Sequence, residues 1–178
     1  PWLWESYLWV VFQENNLGFK HPDNTTGEDA ICLFQRENKK DSEIEITEGD
    51  ARSKKYPDFY KPKGDKNSQI AIEIWDAKFK GYKLDKSMKR EDIHQIITYM
   101  HIQQDLSNKK VPSAGVVFPL VDTESGCREL GTLMGGGIIY KWGLQVENSS
   151  KYTNFDDYKS KMKINEGVFI ASKRFDTV

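Results

Sequence analysis

The stretch that most restricts how this chain can fold is Ile70-Ala-Ile-Glu-Ile-Trp-Asp-Ala-Lys78. Ile70, Ile72 and Ile74 alternate with Ala71, Glu73 and Trp75 at the two-residue period of a strand, which makes one face apolar. Carried forward, that parity puts Asp76 and Lys78 on the isoleucine face, about 7 Å apart along the strand. A carboxylate and an ammonium ending an apolar face are costly unless each has a partner or a task. Upstream, Asp58 sits in Lys54-Lys-Tyr-Pro-Asp-Phe-Tyr60, a short aromatic run that reads as the neighbouring strand. The intervening Lys61-Pro-Lys-Gly-Asp-Lys-Asn-Ser68 has the Pro, Gly and Asn of a hairpin loop. Folding back there brings Asp58 beside Asp76. Two carboxylates and a lysine at the ends of adjacent strands are the makings of a divalent-metal hydrolase site.

A chain of 178 residues, 38% hydrophobic and 30% charged, is long enough to bury one proper core and reads as a single polar domain. Its start at Pro1 leaves room for excision from something longer. Cys32 and Cys127 are too few for a disulfide framework and lack metal-type spacing, so two reduced thiols in a cytoplasmic protein are expected. The apolar opening Pro1–Phe12 carries Glu5 and no basic lead, which argues against both a signal peptide and a membrane span. Net charge is −1, but twelve Lys and Arg face five Asp and Glu between Arg52 and Arg90. That local excess of +7 leaves −8 elsewhere and suits a polyanion such as nucleic acid, with Lys61 and Lys63 as phosphate contacts. A solvated lysine-rich loop has the same composition.

In chain order, residues 2 to 16 read as a helix with Leu3, Tyr7, Val10 and Val11 on its stripe and Leu17-Gly18 as the stop. Glu5 is there either a surface carboxylate or a site acid reaching down from the helix. His21 to Asp29 reads as a polar loop, Ala30–Gln35 as a strand, and Ser42–Thr47 as an alternating, half-exposed one. After Gly81–Ser87, a helix over Lys89–Leu106 places Ile93, Ile96, Ile97 and Met100 on one face. Gln95 and Tyr99 share an adjoining stripe with Asp92 and Ile102. Strands follow at Ala114–Leu120, Gly135–Trp142 and Gly167–Ala171, with a short Asn154-capped helix over Phe155–Met162 between the last two. The order predicts an α/β sandwich: a central mixed β-sheet flanked by helices.

Oxygen ligands such as Asp58 and Asp76, with the Ala77 backbone carbonyl on the strand edge, favour Mg²⁺, which keeps waters and accepts phosphate oxygens. Lys78 beside them is placed to orient an attacking water or offset developing charge. His94 and His101 lie two helical turns apart without a third ligand, so zinc is not expected. Gly135-Gly-Gly137 lacks the Gly-Lys-Ser/Thr of a P-loop, so no nucleotide-driven motor is encoded here.

Pro57-Asp58 followed by Asp76-Ala77-Lys78 resembles the PD-(D/E)xK nuclease superfamily, and Gln95-Ile-Ile-Thr-Tyr99 resembles the Gln-x-x-x-Tyr motif of its RecB-like branch. Trp4–Val10 with Leu17-Gly-Phe19, Asp76–Lys80 and Asp92–Tyr99 are similar to the nuclease domain of McrC-type restriction subunits. The resemblance runs from residue 4 to 99 and departs in the aromatic Tyr56 and Phe59-Tyr60 around the Pro-Asp, where small aliphatic residues are commoner. It implies a restriction-endonuclease-like fold and a Mg²⁺-dependent DNA endonuclease, with Mn²⁺ able to substitute, serving a restriction or defence system. It also implies Glu5, Asp58 and Asp76 as acidic ligands, Lys78 as the catalytic lysine, and Gln95 and Tyr99 as positioning residues. An NTPase or translocase subunit and a second copy of the chain are the partners it suggests. The competing expectation is a catalytically inactive nucleic-acid-binding or structural module of the same fold.

Overall fold

The computed structural model describes residues 2–21, 38–40, 43–45, 57–62, 64, 71–107, 111 and 113–173. Helices α1 (Trp2–Glu14), α2 (Arg90–Ser107) and α3 (Phe155–Ser172) flank a five-stranded mixed sheet. Its strands, in spatial order, are β3 (Phe59–Pro62), β4 (Ala71–Ala77), β5 (Ser113–Leu120), β7 (Ile138–Gln145) and β6 (Gly126–Thr132). A separate hairpin pairs β1 (Asn38–Lys40) with β2 (Glu43–Glu45), the latter within the expected alternating strand. The strand expected over Ala30–Gln35, Lys63 and most of the loop between β3 and β4 lie outside the described residues.

β3 and β4 form the expected antiparallel hairpin, with Phe59 opposite Trp75 and Lys61 opposite Glu73. The pairing then slips so that Pro62 faces Ala71. This bulge interrupts the isoleucine parity: Ala71 and Ile74 are buried in one cluster, whereas Ile72 is half-buried. From Ile74 onward the alternation holds. Ile74 packs towards α2, and Trp75 packs towards α1 and α3.

α2 carries the chain across to β5, which runs parallel to β4, and β7 adds in parallel on the far side of β5. The carboxyl ends of β4, β5 and β7 therefore share one edge of the sheet, the edge at which open α/β sheets bind ligands. Two aromatic-rich cores fill the layers. On the α2 side, Ile96, Tyr99 and Met100 meet Val116, Phe118 and Leu120. On the other, Phe12, Phe59, Trp75, Trp142 and Phe169 pack together, with the Trp142 and Phe169 rings stacked at 4.0 Å. Gly115 is required at the crossing, since a Cβ there would come within 2.3 Å of the Tyr140 carbonyl oxygen and 2.7 Å of the Trp75 ring.

Three expectations need correction. The buried stripe of α1 is Trp4, Leu8, Val11 and Phe12, while Leu3 is 75% exposed and Val10 half-exposed. The four follow the i, i+4, i+7, i+8 rule, and Trp4 is drawn in because its Nε1 donates to the Val117 carbonyl at 3.3 Å. Gly126–Thr132, between the strands expected at Ala114–Leu120 and Gly135–Trp142, is a further, edge strand antiparallel to β7, its exposed Arg128 and Glu129 being what an edge tolerates. Gly167–Ala171 is not a strand but the last third of α3, whose buried face is Met162, Asn165, Glu166 and Phe169. A short apolar run such as Val-Phe-Ile cannot separate helix from strand by period alone. The expected cap is correct: Asn154 accepts from the Asp157 N–H at 2.8 Å.

No helix among the described residues is long and apolar enough to cross a membrane.

Candidate active site

Asp58 is the last residue before β3 and Asp76 the penultimate residue of β4, so the hairpin register sets both at one end of the pair. The Asp58 Oδ2 accepts the Ala77 N–H at 2.6 Å. In an extended strand a residue's N–H and C=O leave on the same edge, so the Ala77 carbonyl shares the Asp58 side. Asp76, only 2% exposed, turns towards α2. There its Oδ1 accepts from the Gln95 Nε2 at 3.2 Å. The Lys78 ammonium pairs with Asp76 Oδ2 without the alignment of a hydrogen bond, leaving that buried oxygen without one.

Gln95 ties the cluster together. Its Oε1 accepts from Lys78 Nζ at 2.8 Å, and its Nε2 also reaches the Tyr99 hydroxyl at 2.6 Å. The i, i+4 spacing thus places both side chains over the end of β4, and Tyr99 is buried while bonded. Glu5 comes from the opposite layer. The Trp4–Val117 bond draws the start of α1 over the sheet edge, because Val117 is the β5 partner of Ala77. Glu5 itself bonds His21 Nε2 at 2.5 Å, and its charge is felt by both Asp58 and Asp76.

A second acidic centre abuts the first. Asp92, 4% exposed, accepts two bonds from Lys80 Nζ at 2.8 and 2.7 Å and another from the Tyr82 hydroxyl, and it lies 4.0 Å from Lys78. On sequence Asp92 reads as a first-turn residue facing the helix dipole. Its place one turn before Gln95 on the same stripe is the signal for this further role. The segment carrying Lys80 and Tyr82 is pinned by Lys141, a buried residue of β7. Its Nζ donates to the carbonyls of Lys83 at 3.3 Å and Lys86 at 2.5 Å, and to that of Leu84. The partnership of His21 with Glu5 has no sequence signal at all.

Burial and crowding set the electrostatics. Burial, then the charges of Asp76 and Glu5, push the Asp58 carboxyl up to about 8, against the pull of the Ala77 N–H and Lys78. Burial also raises Asp76, with Asp92 and Glu5 adding to it and Lys78 opposing. For Asp92 burial works the same way, but the Lys80 and Tyr82 bonds and the nearby Lys78 outweigh it and hold the group below its ordinary value. Burial lifts the Tyr99 hydroxyl to about 12, which keeps it neutral while it accepts from Gln95.

Glu5, Asp58, Asp76 and Asp92 thus gather around Lys78 and Lys80, and acids outnumber ammonium groups by two. One divalent cation would offset that excess as the raised carboxyls of Asp58 and Asp76 ionise to hold it. The donors present, the buried Asp76 and half-buried Asp58 carboxylates and a strand-edge carbonyl, fit Mg²⁺, which is commonly held by one or two carboxylates and completed by water and phosphate. Among the described residues no three or more His, Cys, Asp or Glu side chains form a ready-made cage. Lys61 is not brought to this cluster. It pairs opposite Glu73, towards the other end of β4, with its ammonium 5.9 Å from the centre of the Phe19 ring on the α1 side. Lys63 lies outside the described residues.

No family model, curated protein or solved structure matches this chain.

Proposed function

We propose that this domain is a divalent-metal-dependent DNA endonuclease of the PD-(D/E)xK type, akin to the nuclease domain of McrC-type restriction subunits. The observation that carries the reading is the pairing of half-buried Asp58 and buried Asp76 with Lys78 at the carboxyl end of β4, bridged by Gln95. A binding module has no use for two neighbouring carboxyls that burial and nearby acids both raise, whereas metal-assisted hydrolysis needs such a pair.

Mg²⁺, or Mn²⁺ in its place, supplies Lewis acidity and water activation when held by Asp58, Asp76 and the Ala77 carbonyl, with Glu5 contributing from α1. The chain's own groups do the rest. Lys78, fixed by Asp76 and Gln95, orients the attacking water and offsets charge on the phosphoryl oxygens. Tyr99 fixes Gln95. Asp92, Lys80 and Tyr82 lock the segment after Lys78, which limits the lysine to a narrow set of positions. An exposed nuclease site of this kind endangers host DNA, so control by an NTPase or translocase partner, or by pairing of two copies across a duplex, belongs to the proposal.

The test is cleavage of supercoiled plasmid in Mg²⁺, Mn²⁺ or EDTA by wild type and Lys78→Ala. Slow cleavage with either metal, abolished by EDTA and by the substitution, is expected. Activity that survives both would remove the reading. A folded wild type that binds DNA but never cuts it would favour the inactive binding module.

A further inference from the structure

Phe79 stands between the two lysines of the site and is 64% exposed. Burial does not explain a large apolar ring there, since Lys78 and Lys80 on either side turn in to Asp76 and Asp92. The ring is nevertheless held in place. It lies 6.4 Å from the Trp4 ring, tilted by 50°, and Trp4 is itself buried and bonded to the Val117 carbonyl. By strand parity Phe79 follows Trp75 and Ala77 onto the α1 side, so it borders the carboxylate cluster on the flank from which Glu5 arrives. At about 3.3 Å per residue it is roughly 10 Å from Asp76 along the chain. Lys83, Lys86, Lys89 and Arg90, all exposed, continue the chain away from it.

We infer that Phe79 is a stacking platform for an unpaired base next to the scissile phosphate, and that the preferred substrate is DNA unstacked at the cut. The inference rests on the nuclease reading of the carboxylate cluster. An exposed ring beside a phosphate-binding site meets the face of whatever base follows that phosphate, and every base offers such a face. Bases inside a duplex already stack on their neighbours and must first be pulled out. Single strands, frayed ends and displaced strands meet no such penalty. The basic residues beyond the ring then track the backbone without reading sequence.

Binding is measured in EDTA, where no cleavage intervenes, using an oligonucleotide with one 2-aminopurine, single-stranded or in duplex. Wild type should bind the single strand more tightly than the duplex and change its fluorescence. Phe79→Ala should weaken single-strand binding by roughly 5- to 150-fold, the size of one base–aromatic stack, and lose the fluorescence change. Phe79→Trp should keep both. Thermal melts confirm folding, which an exposed side chain should not disturb. If Phe79→Ala binds single strands within twofold of wild type, or wild type prefers duplex, the platform is overturned while the nuclease reading stands. Folded wild type that binds neither form overturns the platform, and plasmid cleavage with metal then decides the nuclease reading. Loss of binding to a protein partner, with DNA binding intact, would show that the ring serves a protein interface instead.

Discussion

Removing the charge of Glu73 tests how the sheet tolerates an ammonium in its aromatic core. Lys173, at the end of α3, is 7% exposed, pairs with Glu73 Oε2, and sits over the Trp75 and Trp142 rings at 4.5 and 5.2 Å. Burial already depresses its pKa, and Glu73 is the main opposing influence. Glu73→Gln keeps an acceptor for the Trp75 indole, which bonds Glu73 at 3.0 Å, but takes the opposite charge away from the buried ammonium. Removing one partner of a buried pair costs about 3–5 kcal/mol. A ceiling exists, because the lysine can shed its proton. From a free value of about 10.4 down to pH 7, at about 1.4 kcal/mol per unit, that escape costs about 4.6 kcal/mol. The two indole faces stay over the ammonium in both proteins and cancel in the comparison, so a loss of about 3–4.6 kcal/mol at pH 7 is expected.

The pH dependence identifies the cause. In Glu73→Gln the folded lysine binds fewer protons than the unfolded one, so stability rises with pH until the unfolded lysine also deprotonates near 10.4. Urea melts followed by tryptophan fluorescence should show the variant recovering up to about 2.7 kcal/mol relative to wild type between pH 7 and 9. The double variant Glu73→Gln/Lys173→Met should lose less than Glu73→Gln alone. A Glu73→Gln loss below 1 kcal/mol, or one indifferent to pH, would refute the account of a buried, partner-dependent ammonium.

Gln95→Ala should lower single-turnover cleavage by about 10- to 150-fold with little change in DNA affinity, the size of one or two bonds to a charged group, and equal rates would remove its positioning role. Binding of DNA should weaken steeply with salt, with each charge removed at Lys83, Lys86, Lys89 or Arg90 lowering the log–log slope by about 1; affinity indifferent to salt contradicts this. Gly115→Ala should cost several kcal/mol in a denaturant melt because the Tyr140 backbone cannot yield, whereas Gly167→Ala, with open space inside a helix, should gain about 0.5–1 kcal/mol. Mg²⁺ should raise the melting temperature of wild type but not of Asp76→Asn, as read by differential scanning fluorimetry.

Local pattern was enough to place the hairpin of β3 and β4, α2 and its Gln95–Tyr99 stripe, and the Asn154 cap, because each follows from a period or a side chain bonding its own backbone. The same pattern marked Asp58, Asp76 and Lys78 as neighbours, since strand parity and a turn suffice to bring two strand ends together. It failed where a choice depended on distant contacts. Whether Gly167–Ala171 is strand or helix rests on the Phe169 ring stacking on Trp142, and whether Leu3 or Trp4 is buried rests on the Val117 carbonyl. The bulge that breaks the isoleucine alternation belongs to the pairing of β3 with β4 and to neither strand alone. Likewise, Asp92 and His21 join the site only because α2 and the segment after α1 close over the sheet from opposite layers. Residue chemistry and periodicity are properties of neighbours in sequence, and so can be read from the chain. Burial, charge excess and the raised carboxylates arise from side chains far apart in sequence that share one low-dielectric space, which exists only once the layers have packed.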